Sequence, residues 1–87
     1  MAYRIDIDRS VIKEMQRLPK RIALRIGVRI RDLQDNPRPI DCRKLTGQDN
    51  LYRIRVGDYR IVYAITDEIL YVLVVRVAHR KDAYKGI

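Results

Sequence analysis

Three arginines stand around one tight turn: Arg53 and Arg55 in LYRIRV, and Arg60 in DYRIVY, with Gly57-Asp58 between the two runs. Arginine suits a phosphate, because its planar guanidinium stays protonated and donates two parallel hydrogen bonds to one anion. Further along lie His79, Arg80 and Tyr84 in AHRKDAYKGI. His79 is the sole histidine, the one side chain that ordinarily exchanges protons near neutral pH. A tyrosine offers either a face for base stacking or a hydroxyl for proton transfer. Each of these residues also has a plainer reading. Arginines keep an exposed sheet face soluble, a tail histidine points to water, and a tail tyrosine packs the tail onto the sheet.

The turn decides how the arginines are arranged. A two-residue loop at Gly57-Asp58, with glycine suited to a type II′ hairpin, sets Val56 opposite Tyr59, Ile54 opposite Ile61, Arg55 opposite Arg60 and Arg53 opposite Val62. Side chains alternate between faces along a strand. Tyr52, Ile54, Val56, Tyr59, Ile61, Tyr63 and Ile65 therefore share a core face, and Arg53, Arg55 and Arg60 share the other. Like charges directly opposite one another destabilise a sheet. Lysine, glutamate and threonine, equally good for solubility, are missing from that face between residues 51 and 62. The arrangement points to an anion that offsets the repulsion.

The elements that position these residues follow from periodicity. Residues 2–7 alternate Tyr3, Ile5 and Ile7 with Arg4 and Asp6, a half-buried strand. Asp8 caps a helix that runs to about Leu18 with Val11 and Met15 on its apolar face. Pro19 suits the first turn of a second helix, whose stripe is Ile22, Ile26, Ile30 and Leu33. Ala23 and Gly27 beside that stripe would let the helices of this antiparallel pair approach closely, and Asn36-Pro37 ends the second helix. Residues 37–50 read as one ordered loop. A meander follows: strands at 51–56, 59–66 and 69–77, with a second tight turn at Asp67-Glu68. The third strand, ILYVLVVRV, is apolar on both faces, as a central strand would be. With a two-residue second turn, Val62, Tyr71, Leu73 and Val75 join the arginine face, and His79 and Arg80 leave the sheet beside the cluster. Residues beyond 77 read as a short polar tail. The expected fold is α+β: an N-terminal strand, a helical hairpin, then a three-stranded antiparallel meander, in one mainly antiparallel sheet with the helices on one face.

Composition narrows the function. At 87 residues the expectation is one domain, 1–87, with a modest core, since folding at this size removes roughly 60% of the unfolded chain's surface from water. Apolar residues are 47% and charged residues 34%, which excludes a disordered chain. No apolar run approaches a membrane span, and MAYRIDIDRS does not read as a signal peptide. One cysteine, Cys42, excludes an internal disulfide and fits a reducing cytosol; one cysteine and one histidine argue against a zinc site. Nineteen lysines and arginines against eleven acids give a net charge of +8. A small cytosolic protein this basic commonly meets a polyanion such as nucleic acid.

The runs LYRIRVGDYRIVYAI and VLVVRVAHRKDAY, with the KLTG loop before them, resemble the RelE-like toxins of the RelE/ParE toxin–antitoxin superfamily. The resemblance spans essentially the whole chain. It implies a cytoplasmic messenger-RNA endonuclease that acts on the ribosome without metal or other cofactor and is neutralised by a cognate, RelB-like antitoxin. Carried over position by position, it implies catalytic roles for Arg53 and Arg55, Arg60, Arg80 and Tyr84, with His79 adjacent and able to share the role of Arg80. Some members carry lysines in the first meander strand; here both residues are arginines, which do not deprotonate. Base duty then falls to His79 or Tyr84, or catalysis is mostly electrostatic. Two other readings use the same scaffold: a ParE-like inhibitor of DNA gyrase, and a non-catalytic RNA- or ribosome-binding module.

Overall fold

The computed structural model describes residues 2–87. Five strands and two helices form an α+β fold: β1 (Arg4–Ile7), α1 (Arg9–Arg17), α2 (Lys20–Asp32), β2 (Arg43–Lys44), β3 (Leu51–Val56), β4 (Tyr59–Thr66) and β5 (Tyr71–His79). The sheet order is β1-β5-β4-β3-β2. Only β1 runs parallel to its neighbour, so the sheet is mainly antiparallel. Among the described residues no helix is long and apolar enough to cross a membrane.

One face of the sheet is the core. Val11 from α1, Ile26 and Ile30 from α2, and Leu33 just after it pack on Ile54, Val56, Ile61, Tyr63, Ile65, Val72, Val74 and Val77. Burying an aliphatic side chain of this size stabilises by about 1.5–3 kcal/mol, so this single layer supplies most of the driving force. The core face expected from the first hairpin is observed, with Tyr52 and Tyr59 at its margin. Ala23 and Gly27 do not mediate a close helix–helix approach. A β-carbon at Gly27 would meet no atom within 4 Å, because α1 rests on β5 and α2 on β3. Pro19 is the residue before the first turn of α2 rather than within it. Asp8 caps α1 through its carbonyl, which accepts the N–H groups of Val11 and Ile12, while its carboxylate takes the Ser10 hydroxyl.

The first hairpin has the expected register throughout, and Gly57 sits at φ +57°, a left-handed conformation that glycine adopts without strain. The second turn differs. Residues 67–69 form a 3-10 turn and Leu70 takes φ +50°, so β5 begins at Tyr71 rather than Ile69. The cause is Asp67: its carboxylate accepts the Tyr3 hydroxyl at 2.7 Å and the Arg38 guanidinium at 2.9 and 3.1 Å, tying three chain segments together. A bulge between Val62 and Tyr63 then shifts the register, so Arg76, not Val75, lies opposite Val62. The loop 37–50 is ordered and contributes β2, which pairs with Tyr52 and Arg53. Tyr63 anchors it by donating its hydroxyl to the Pro37 carbonyl at 2.7 Å. Burial pushes the Tyr63 hydroxyl pKa well up, so it remains a donor.

The C-terminal residues are not a free polar tail. They turn back over the second face of the sheet, where Arg76 Nη1 donates to the carbonyls of Ala83 (3.1 Å) and Lys85. Ala83 and Val62 are both fully buried there, apart from the main core.

Candidate nucleic-acid interface

On the face opposite the helices, strand pairing builds two rows. Arg43, Arg53, Val62 and Arg76 lie side by side from β2 to β5. Arg55, Arg60 and Ala78 form the next row towards the hairpin turn. Arg53, Arg55 and Arg60 therefore do share one face. Among the described residues, none of them forms an ion pair with a carboxylate. The contrast with the scaffold arginines is sharp. Arg38 is held by Asp67, and Arg29 grips both oxygens of Asp41 at 2.8 and 2.9 Å. Partial burial raises the Asp41 carboxyl pKa, but the Arg29 guanidinium outweighs it and holds the group below the usual range.

The guanidinium groups do not converge on one point. Arg53 opens on a cleft of about 310 Å³ with Arg43, Lys44, Thr46, Tyr84 and Ile87, its Nη1 donating weakly to the Asp41 carbonyl at 3.4 Å. Arg60 folds back on the turn and donates to the carbonyls of Gly57 and Tyr59 at 3.2 and 3.1 Å. Arg55 borders a separate groove against α2. Tyr84 is brought to the arginine face by the tail clamp and is 42% exposed, open enough to stack on a base. Arg80 is exposed where the tail begins, its N–H bonded to the Asp58 carbonyl at 2.7 Å beside the hairpin turn.

His79 departs from expectation. It pairs with Tyr59, so it points to the helix side of the sheet, where the two rings meet edge to face with centroids 5.7 Å apart. The longer second turn moves the register by two residues and keeps each side chain on its face, whereas the bulge moves it by one and puts the strand's last residue on the other side. The face holding Arg53, Arg55 and Arg60 thus has Tyr84 as its hydroxyl and no imidazole. Sequence reasoning missed Arg43, Lys44 and Arg76. The first two lie in a two-residue strand with no periodic pattern to reveal it, and the third reaches the face only through the bulge. A row of guanidinium groups without carboxylates is suited to an oligoanion backbone, and its donors repel a divalent cation.

Residues 5–84 match the family model described as "ParE toxin of type II toxin-antitoxin system, parDE". The chain is 31% identical to "mRNA interferase toxin RelE" of Escherichia coli, over 93% of this chain and 86% of that protein. It is 34% identical to "Toxin RelE3" of Methanocaldococcus jannaschii, over 87% and 89%. Its fold superposes on the archaeal RelE–RelB complex of Pyrococcus horikoshii with a TM-score of 0.82 and 33% identity, covering 95% of this chain and all of that one.

Proposed function

The chain belongs to the ParE toxin family of type II toxin–antitoxin systems, and we propose that within it the protein is a RelE-like toxin, an endoribonuclease that cleaves messenger RNA on the ribosome in the cytoplasm and is held in check by a RelB-like antitoxin. Residues 1–87 act as one domain in this reading. The observation that supports it most is the arginine face: four arginines from β2, β3 and β4 without a carboxylate partner, next to an open tyrosine.

RNA carries its own nucleophile, the 2′-hydroxyl beside the scissile phosphate. Cleavage needs that hydroxyl aligned in line with the leaving 5′-oxygen, the growing charge on phosphorus stabilised, and two protons moved. Arg53, Arg55 and Arg60, with Arg80 at the end of β5, supply the charge. Among the described residues Arg60 donates to two carbonyls and to no carboxylate, so a phosphate can recruit it without breaking an ion pair. Tyr84 stacks on or orients the flanking base, and its hydroxyl is the proton-exchanging group on this face. The attack leaves a 2′,3′-cyclic phosphate and a 5′-hydroxyl. His79, on the far side of the sheet, takes no part in the proton transfers.

Removing one such electrostatic donor typically lowers rate by 10²–10³. Arg60→Ala should therefore lose cleavage of translated message by primer extension, with an unchanged circular dichroism spectrum. A folded Arg60→Ala that still cuts at the normal rate overturns the assignment. The matched family model is that of a ParE toxin; expression that induces DNA damage without arresting translation would favour the gyrase-inhibitor reading.

A further inference from the structure

Beyond the arginine face, the sheet has a second unused polar feature. β1 pairs with β5 only as far as Val74, where Asp8 N–H closes the ladder on its carbonyl. From Val75 to His79 the outer side of β5 has no neighbouring strand. Hydrogen bonding alternates along a strand, and the Arg55 carbonyl, taken by Arg29 at the opposite edge, fixes the phase. Ala78 therefore bonds inward to Arg60, and the N–H and C=O of Val77 face outward. They border a cleft of about 430 Å³, within the range of small-ligand sites, between β5, the first turns of α1 and the start of the tail.

The side chains around the cleft differ from the rest of this basic surface. Tyr59 and His79 present their edge-to-face rings. The His79 Nδ1 accepts the Lys81 N–H at 3.3 Å, so in the neutral ring the proton sits on Nε2 as a donor. Glu14 and Asp82 supply carboxylates; Arg17 approaches Glu14 Oε1 at 4.0 Å and Lys85 engages Asp82 Oδ1 at 2.9 Å, which leaves each carboxylate a second oxygen for a ligand. Such a site repels phosphate. It suits a nucleobase: carboxylate and carbonyl acceptors for exocyclic N–H groups, N–H donors for ring nitrogens or carbonyls, and aromatic rings to pack against. Its position fits too. Tyr59 precedes Arg60 and His79 precedes Arg80, so the cleft and the end of the arginine face lie back to back across one strand thickness.

We infer that this cleft binds an unstacked base of the RNA whose backbone the arginine face grips, and that Tyr59, His79, Glu14 and Asp82 set base preference. The inference rests on the nuclease reading. It is tested with uncleavable 2′-O-methyl hexanucleotides of adenine, cytosine or uracil, following the Tyr59 and His79 ring signals by NMR and measuring affinity. The ring signals should move saturably, and one base should be preferred. His79→Ala should weaken that hexanucleotide about tenfold and level the three affinities. Glu14→Gln, on the surface of α1, should alter the ranking even if His79→Ala fails to fold. Arg60→Ala should weaken all three alike. Unmoved rings with RNA bound at the arginines would overturn the cleft assignment and leave the nuclease reading standing. Absence of RNA binding at either face would remove both. Rings moved by the cognate antitoxin but not by RNA would make the cleft a strand-addition site for protein, and the inference would be wrong.

Discussion

Replacing Arg76 with methionine tests whether the tail is part of the active surface or a passive end. Arg76 Nη1 donates to two carbonyls, those of Ala83 and Lys85, and these are the bonds that fasten residues 80–87 across the second face. Bonds from a charged donor contribute about 1.5–3 kcal/mol each when sheltered, less where water competes. Covering Val62, fully buried, holds the tail closed with or without these bonds and so drops out of the difference, which is set by the two bonds alone. A combined loss near 3 kcal/mol shifts the closed-to-open equilibrium of the tail roughly 100-fold. The helix-side core is untouched, so the effect should be local opening rather than global unfolding. Amide exchange is the assay: Asp82, Lys85 and Ile87, whose N–H groups are bonded within the tail, should exchange far faster in Arg76→Met, while α2 and β4 stay protected. Tyr84 would leave the Arg53 cleft, and cleavage of translated message should fall at least tenfold. Unchanged tail exchange would refute the clamp. Open tail amides with full cleavage would refute the role of Tyr84.

Three other outcomes follow from the scaffold. Gly57→Val places a branched residue at φ +57° and should destabilise by about 1–2 kcal/mol, read as a lower urea midpoint with the same m-value. Tyr63→Phe leaves the Pro37 carbonyl without its buried donor and should cost about 1–3 kcal/mol, loosening the loop that carries Arg43. The Arg38 guanidinium, then the Tyr3 hydroxyl, hold the Asp67 carboxyl below its ordinary pKa. A carboxylate depressed in the fold stabilises above its unfolded pKa, near 3.9, and that contribution is lost as pH falls below it. Urea midpoints of the wild type should therefore drop faster than those of Asp67→Asn from pH 5 to pH 2; parallel curves would show that Asp67 contributes no linkage.

Which parts of this architecture could be read from the chain depends on the range of the forces that set them. The first hairpin was legible because its determinants are local: Gly57-Asp58 fixes the loop, and period-two alternation from Tyr52 to Ile65 assigns every side chain to a face. That register alone put Arg53, Arg55 and Arg60 together. The second turn was not legible, since Asp67 is shaped by Tyr3 and Arg38, which lie 64 and 29 residues away in sequence. Nor was the bulge, which inserts one residue in a strand apolar on both faces and so leaves no break in pattern. From the bulge alone came the misplaced His79 and the unseen Arg76, since the longer turn shifts the register by two and leaves faces unchanged.

The consequence reaches into the chemistry. With the imidazole on the helix side, the arginine face offers guanidinium groups, which do not deprotonate, and the Tyr84 hydroxyl as its one proton-exchanging group. Charge stabilisation and alignment must then carry most of the rate, and such a surface works only when its RNA is already presented in a fixed conformation. A ribosome-held message meets that requirement; a free strand does not. If this reasoning holds, purified protein should cleave naked RNA orders of magnitude more slowly than the same sequence on a translating ribosome. Equal rates on the two substrates would instead require a proton-transfer group that this face does not present, and would refute the division of the sheet into a core side and a phosphate side.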